Sequence, residues 1–424
     1  MENHNHILPL HHERSQQPHP HEAIAYSPPQ TEANQLSDLD IGRSPFRLFL
    51  RDMMLVIRLL RHLPSMFTPI RTTNPLAELY LGSRRNVQEL LLHFFLGILG
   101  LLLVLITIPL MIAAPLLVFF LFLVICNCFL CLLSLPLNRG ARTLTSKPLP
   151  GSPETPEERW IFVNGVCVGN YWLQANINML SEIFQRPVLG IHNRSYGVIA
   201  DLVECIAQRC FSYTTNDIRL TYAHLKKDLM DPRIQRVVAI AHSQGGIILS
   251  VALDLLFAEL ACENLAKLEV YTFGCAANHF NNPRRRLAGH EKAEPIIRHM
   301  EHFCNENDFV ARFGALHFKD PENGRFAGEV FEHKGYSGHL LNQHYLEAMF
   351  RAEAATFWDQ VVETDQSNPE SALSEKTSAV VSNVPLEGDI ESLTAAAAQG
   401  KSVKELSRLW TYRSGGNPVS RSCT

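Results

Sequence analysis

The chain has 424 residues, a formal net charge of −4 and ten cysteines, and 46% of its residues are hydrophobic. The mild negative charge argues against a nucleic-acid partner. The cysteines show neither the paired spacing of a metal site nor a disulfide framework, as expected of a domain that faces the cytosol. The length allows two domains, but the composition changes strongly along the chain.

The first 89 residues divide into two parts. Residues 1–45 are rich in histidine, proline, glutamine, asparagine and serine, which predicts disorder. The histidines have no fixed ligand spacing, so no metal site is expected among them. Residues 46–89 form an amphipathic region that begins with a stretch, 46–61, in which arginines alternate with large apolar side chains. This mixture favours a helix in the plane of a membrane interface over the surface helix of a soluble domain.

Residues 90–137 are the most apolar part of the chain, and 94–137 contain no Asp, Glu, Lys or Arg. Because a spanning helix needs about 20 apolar residues, this length predicts a hairpin of two legs with its bend near Ala114 and Pro115. Arginines on both flanks favour cytosolic placement of both ends. The bend carries no polar residue, so a re-entrant hairpin that dips into one leaflet stays open beside a transmembrane one. The membrane expected is that of the endoplasmic reticulum, the lipid droplet surface, or both.

The remaining chain predicts one folded domain between two unfolded segments. Residues 138–158, rich in Pro, Gly, Ser and Thr, are typical of a linker, and 363–424 of a disordered tail with at most a short helix at 401–413. Residues 159–362 alternate apolar strand patterns with helix patterns, which favours an α/β fold: a mostly parallel sheet with helices on both faces. The predicted strands are 160–163, 188–191, 237–240, 267–273, 296–303 and 329–333.

Ser243 lies between the apolar strand 237–240 and a predicted helix. A sharp turn from strand to helix exposes a serine oxygen above a sheet, and small residues two before and two after it let strand and helix approach. Ala241 and Gly245 occupy those positions. Serine needs a base to take its proton and an acid to hold that base, and in this architecture both follow in chain order. The pattern therefore predicts Ser243 as a nucleophile.

Two later strands supply candidates for these partners. Asp308 follows the strand 296–303, where an orienting carboxylate is expected, and Glu306 is the alternative. His339 lies between the strand 329–333 and a predicted helix at 340–350, at the edge of the sheet where Ser243 is expected. It is the predicted base, with His344 as the alternative. The neighbouring His242 is expected to pack at the end of its strand.

An oxyanion formed during acyl transfer needs backbone donors. One is expected at Gln244, the residue after the nucleophile, and the other at Val166, or alternatively Gly165, in the loop after the first core strand. Tyr171 and Trp172 follow in the same loop. They are candidates to line an acyl pocket, and packing of the next helix is an equally weighted alternative.

Three of these segments resemble one family. Residues 242–246, His-Ser-Gln-Gly-Gly, resemble the His-Ser-x-Gly-Gly elbow of the class 3 lipases, and 271–274, Tyr-Thr-Phe-Gly, resemble that group's next strand. Residues 307–310, Asn-Asp-Phe-Val, resemble its acid segment. Over residues 159–362 the chain is similar to the α/β-hydrolase superfamily and, within it, to serine lipases and esterases.

This resemblance implies cleavage of acyl esters of lipids through an acyl-enzyme, with no metal or cofactor. Two alternatives stay open: a membrane-bound platform with an inert hydrolase-like domain, and an acyltransferase that uses the same serine. Asn193-Arg194-Ser195 is in addition a glycosylation sequon, which would be used only if the domain were luminal.

Overall fold

A computed structural model describes residues 23–29, 44–151, 155–286, 293–319, 326–351, 356–364 and 398–418. Its strands form one nine-stranded sheet and one separate strand pair. The strands of the large sheet are β1 (Ile24–Ser27), β2 (Thr143–Thr145), β3 (Glu158–Val163), β4 (Val188–Ile191), β5 (Arg236–His242), β6 (Leu268–Phe273), β9 (His299–Asn305), β10 (Glu329–His333) and β11 (Val362–Thr364). The separate pair consists of β7 (Arg284–Arg286) and β8 (Ala293–Pro295).

The large sheet has the order β11-β1-β10-β9-β6-β5-β3-β4-β2. Its six central strands, from β10 to β4, are all parallel to their neighbours, and β1 and β2 add antiparallel pairs at the two sides. The α/β prediction is thus confirmed as a mixed, mostly parallel sheet. Because parallel strands end at the same edge, the loops after β5, β9 and β10 lie together there.

Helices cover both faces of the sheet. They are α1 (Pro45–Leu59), α2 (Arg84–Ala113), α3 (Leu116–Asn138), α4 (Asn170–Phe184), α5 (Val198–Phe211), α6 (Asn216–Met230), α7 (Gln244–Glu259), α8 (Cys262–Leu265), α9 (Phe309–Phe313), α10 (Ala315–Phe318), α11 (Thr356–Asp359) and α12 (Val403–Leu406). A π-helical segment covers Leu341–Arg351, and 3₁₀ turns cover Leu60–His62, Pro64–Phe67 and Leu409–Gly415.

The side chains of β3 show how the two layers form. Trp160 and Phe162 point to one face and join a core that includes α4, whereas Ile161 and Val163 point to the other and join α6 and α7. Such alternation follows from the two-residue period of a strand. Burial on both faces explains why the central strands read as continuous apolar runs.

The apolar hairpin consists of α2 and α3, which contact each other and are joined at Ala114 and Pro115. Ser83 caps α2 by accepting a hydrogen bond from the N–H of Asn86 (3.4 Å). Both helices are long and apolar enough to cross a membrane, so the prediction of two apolar legs with this bend is confirmed. In α3, Asn127 accepts a hydrogen bond from the Sγ of Cys131 (3.4 Å) within the same leg.

Three segments predicted to be unstructured contribute to the folded domain, and the structure corrects those predictions. Part of 1–45 forms β1, which pairs with β10 and β11. Part of the predicted linker forms β2. Residues 398–418 of the predicted tail pack on the sheet, and Leu409 and Tyr412 are fully buried there. These short segments fold because the sheet offers partners for their backbone and a core for a few side chains. The folded domain therefore extends beyond 159–362.

Candidate active site

Ser243 occupies a strained turn between β5 and α7. Its backbone has φ 59° and ψ −125°, a region that residues with a side chain rarely adopt, and its N–H donates to the carbonyl of Phe273 (3.2 Å). A Cβ on Gly245 would lie 2.2 Å from the carbonyl oxygen of Val163. This position therefore requires glycine, and Ala241 on the other side is fully buried without such a clash. The turn has the geometry that the small residues predict.

Asp308 and His339 form a buried hydrogen-bonded pair. The Nδ1 of His339 donates to Oδ2 of Asp308 (2.8 Å), and the same oxygen accepts from the hydroxyl of Tyr345 (2.7 Å). The other carboxylate oxygen accepts from the N–H of Val310 (2.8 Å). Because the carboxylate fixes the proton on Nδ1, Nε2 is the basic atom of the ring. Within the described part of the chain, Nε2 is buried and has no hydrogen-bond partner.

This pair lies beside the strained turn. A Cβ on Gly274 would lie 2.8 Å from Oδ2 of Asp308 and 3.0 Å from Nδ1 of His339, so both side chains rest on the Gly274 backbone. The preceding residue, Phe273, holds the N–H of Ser243. One peptide unit therefore separates the serine backbone from the acid and imidazole pair.

His242 supports His339 from the side. Its ring lies 4.6 Å from the ring of His339, and its Nε2 donates to the backbone carbonyl of His339 (2.7 Å). Burial, followed by the neighbouring His339, lowers the pKa of His242 well below its usual value. His242 is thus a neutral packing residue at the end of its strand.

The two alternatives to this pair are engaged elsewhere. In His344, Nδ1 accepts from the N–H of Leu340 (3.0 Å) and Nε2 donates to the carbonyl of Pro69 (3.0 Å), so neither nitrogen is free to act as a base. Glu306 accepts from the N–H of Gly335 (2.8 Å) at the surface and is 3.7 Å from the guanidinium of Arg312. The structure brings Asp308, not Glu306, to the imidazole of His339.

The loop after β3 lies directly against Ser243. A Cβ on Gly165 would be 2.4 Å from the serine Cβ and 2.8 Å from its Oγ, so the Gly165 backbone packs closely against the serine side chain. Asn164 fixes the loop, since its side chain bonds both the N–H (2.9 Å) and the carbonyl (3.0 Å) of Asn193. Gln244 is the first residue of α7, where backbone N–H groups have no partner within the helix.

Tyr171 and Trp172 contact the first turns of α2. The hydroxyl of Tyr171 is 3.0 Å from Oγ of Ser83, and its N–H donates to Glu89 (3.2 Å). The indole N–H of Trp172 donates to the side chain of Asn86. Both residues therefore join the start of α4 to the base of the hairpin, and their role in an acyl pocket stays a prediction.

Two functional contacts were not predicted. Tyr345 is a polar residue in a helix pattern, and only its position above Asp308 gives it a role. Asn193 was considered only as a sequon. It is buried, and its Nδ2 donates to the side chain of Gln244 (2.6 Å), so a glycan on this nitrogen is incompatible with the fold and cannot report topology. Neither role has a signal in the sequence alone.

The 3₁₀ turn Pro64–Phe67 covers the outer side of the pair. The N–H of His339 donates to the carbonyl of Met66 (2.8 Å), and Ser65 donates from its hydroxyl to the carbonyl of Asn307 (2.5 Å). The amphipathic region thus adjoins the site.

Within the described ranges, no group of three or more His, Cys, Asp or Glu side chains is placed to hold a metal ion. The sequence matches no protein-family model, and no curated protein is significantly similar to it.

Proposed function

We propose that this protein is a membrane-anchored serine hydrolase of the α/β-hydrolase type that cleaves acyl esters of lipids. In this proposal Ser243 is the nucleophile, His339 the base, and Asp308 the carboxylate that orients it. The backbone N–H groups of Gln244 and Val166 hold the oxyanion.

The reaction follows from these roles. Nε2 of His339 takes the proton of Ser243 as Oγ attacks the ester carbonyl, and the carbonyl oxygen gains negative charge near the two N–H groups. The imidazolium then gives its proton to the leaving alcohol, and an acyl-serine remains. Water, activated by the same nitrogen, cleaves the acyl-serine to a fatty acid and restores the serine hydroxyl.

One observation carries the proposal. His339 has one ring nitrogen bound to a buried carboxylate (2.8 Å), while the other is buried and unpartnered within the described residues. The pair packs on Gly274, next to the residue whose carbonyl accepts from the N–H of Ser243 in its strained turn. Leaving a buried polar atom unpaired costs free energy, typically about 1–3 kcal/mol. A proton-transfer role gives this nitrogen a partner during the reaction.

A lipid substrate is favoured by the position of the hairpin. Glu89, in the second turn of α2, accepts from the N–H of Tyr171 at the start of α4 (3.2 Å), and a Cβ on Gly169 would clash with the same carboxylate. The base of the hairpin therefore adjoins the loop that also touches Ser243. Anchoring at the endoplasmic reticulum or a lipid droplet, with the domain in the cytosol, would hold this loop at a surface where ester lipids are concentrated.

Labelling with a fluorophosphonate probe tests the serine chemistry without knowledge of the natural ester. We expect the purified full-length protein to be labelled and Ser243→Ala to lose the label. Ser250→Ala, a matched change of a buried serine in α7, the helix that follows Ser243, should keep it. Label on Ser243→Ala would assign the reactivity to another residue, and an unlabelled wild type would favour an inert platform. Fatty acid released from a lipid panel distinguishes hydrolysis from acyl transfer.

A further inference from the structure

Only the outer part of the hairpin stands free of the rest of the molecule. α2 packs against α5 as far as Gly100, where an added Cβ would lie 2.9 Å from the side chain of Ile199. On the other leg, Ser134 is the first buried residue of α3. None of the residues 101–133 is buried. We call residues 101–133 the free hairpin.

The free hairpin is short for a bilayer. Residues 101–113 of α2 rise about 20 Å, and residues 116–133 of α3 about 27 Å, at 1.5 Å per residue. The hydrocarbon core of a bilayer is about 30 Å thick, and the headgroup regions bring the total to about 40–45 Å. Neither leg therefore carries the bend across to the opposite headgroups. The bend residues Ala113, Ala114 and Pro115 also provide no polar side chain to meet them.

Charged side chains mark the level at which the base of the free hairpin meets water. A cavity of about 260 Å³ just beyond the end of α3 is lined by Arg142, Arg194 and Arg219, together with Glu204 and Asp217. The excess of arginine suits lipid phosphates. Charged residues of this kind stay out of the hydrocarbon, so the cavity limits how deeply the folded domain can enter the membrane.

α1 packs against α5, the helix that α2 also contacts. Its outward face exposes Phe46, Leu50 and Ile57, which are 60%, 43% and 67% accessible and share one stripe at helical spacing. Arg47 and Arg58 are exposed beside this stripe. An apolar stripe flanked by arginines is the pattern of a helix that lies in the headgroup plane.

We propose that the free hairpin enters one leaflet only and that α1 lies flat beside it, so that the protein is monotopic and never reaches the opposite membrane face. A hairpin and helix placed in this way need one layer of acyl chains but no second leaflet. It therefore fits the phospholipid monolayer of a neutral-lipid droplet as well as a bilayer. This inference rests on the membrane part of the proposed function and not on the serine chemistry.

Iodide quenching of a dye at the bend tests the depth. Full-length protein is synthesised without cells in the presence of preformed phosphatidylcholine–phosphatidylserine vesicles, with a dansyl side chain at position 114 in place of Ala114. Iodide is either added outside or enclosed within the vesicles. The matched control carries the dye at position 139, in place of the exposed Arg139 at the base of the hairpin.

We expect position 114 to be quenched from neither side and position 139 from outside only. Quenching of position 114 by enclosed iodide would show a transmembrane hairpin and overturn the inference. Quenching of position 114 from outside would overturn membrane insertion itself, and with it the membrane part of the proposed function. Fluorophosphonate labelling of Ser243 does not depend on either result, so the two proposals fail separately.

Flotation with triolein droplets coated by phosphatidylcholine tests the monolayer prediction directly. Wild-type protein should float with the droplets and with vesicles of the same phospholipid. Protein that floats with vesicles but not with droplets would require the second leaflet and contradict the inference. Leu105→Arg, which places a charge in the free hairpin, should lose both interactions, since arginine in hydrocarbon costs several kcal/mol.

Discussion

Asp308 receives hydrogen bonds from three separate parts of the chain: the ring of His339, the hydroxyl of Tyr345 and the N–H of Val310. Only the hydroxyl of Tyr345 can be removed without changing the proposed catalytic residues or the backbone. Removal of this hydroxyl therefore tests how Asp308 and His339 are positioned and leaves the proposed catalytic groups in place.

Tyr345→Phe should slow the reaction of Ser243 with a fluorophosphonate about tenfold. Hydrogen bonds to charged groups contribute about 1.5–3 kcal/mol, and about 1.4 kcal/mol corresponds to tenfold in rate. Labelling rates measured at one pH for both proteins give this ratio.

Tyr412→Phe is the matched control, since its buried hydroxyl donates to Glu269 (2.7 Å) at the opposite part of the sheet. It should lower stability without changing the labelling rate. A Tyr345→Phe protein with the wild-type labelling rate would show that Tyr345 only packs.

The sequence predicts those residues of the candidate site that directly follow a strand. Ser243 follows a strand with a clear apolar pattern, Asp308 follows another predicted strand, and parallel strands bring their ends to one edge. The sequence does not decide whether His339 or His344 is the base, because their spacing from the strand does not show which ring nitrogens are already hydrogen-bonded. Tyr345 was missed because the direction of a side chain on a helix depends on what the helix packs against.

At the level of elements, β9 and β10 place two carboxyl groups side by side. Glu301 and Glu329 are paired in register, and Glu301 accepts hydrogen bonds from the hydroxyl of Ser407 (2.6 Å) and the N–H of Arg408 (2.6 Å). Burial, and then the neighbouring Glu329, raises the pKa of Glu301 to about 8, and burial also raises the pKa of Glu329. Burial at this position thus favours the protonated carboxyl of Glu301, although the hydrogen bonds from Ser407 and Arg408 favour the carboxylate.

The folded state should lose stability as pH rises. The pKa of Glu301 in the fold lies above its unfolded value of 4.5, so its stabilising contribution is complete below pH 4.5 and is lost as pH rises towards 8. Each proton released adds a slope of up to about 1.4 kcal/mol per pH unit. Glu301→Gln keeps an acceptor for Ser407 and Arg408 but cannot ionise. Its unfolding free energy should therefore fall less between pH 5 and 8 than that of the wild type.

Urea unfolding in detergent micelles across this pH range measures the difference. Glu306→Gln, at a half-buried carboxylate near the surface, is the control and should follow the wild-type curve. Parallel curves for Glu301→Gln and the wild type would show that this carboxyl does not titrate with folding.

Strands and helices were predictable to the extent that they form a continuous apolar pattern of their own. β10 was predicted at its observed bounds, and β5 and β6 within two residues, because both faces of these strands are buried. β1 buries only Ile24, Ala25 and Tyr26, a run too short to stand out from polar surroundings. Its stability comes from pairing with β10 and β11, whose residues are more than 300 positions away.

Across the whole molecule, α1 is joined to the active-site turn by a chain of buried contacts. Asp52 of α1 bonds Nε of Arg209 (2.7 Å), and the same guanidinium lies 3.7 Å above the ring of Phe313. Arg209 also donates to the carbonyl of Ala276 (2.5 Å), whose N–H donates to the carbonyl of Ser243 (3.1 Å). In the sequence, Asp52 is one acid among arginines, so its partner in α5 could not be identified.

Asp52→Asn should therefore affect both stability and the site. It leaves the buried guanidinium of Arg209 without a counter-charge, and breaking a buried pair costs about 3–5 kcal/mol of unfolding free energy. Asp231→Asn is the matched control, because Asp231 pairs with Arg233 (2.8 Å), whose side chain is 86% exposed, and an exposed pair contributes little to stability. Urea unfolding measures the stability of each variant. The rate of fluorophosphonate labelling at pH 7, without urea, reports on the reactivity of Ser243. A slower rate for Asp52→Asn, with an unchanged rate for Asp231→Asn, would link α1 to the proposed nucleophile. An equal loss of stability in both variants would contradict a buried ion pair, and an unchanged rate in Asp52→Asn would limit α1 to anchoring.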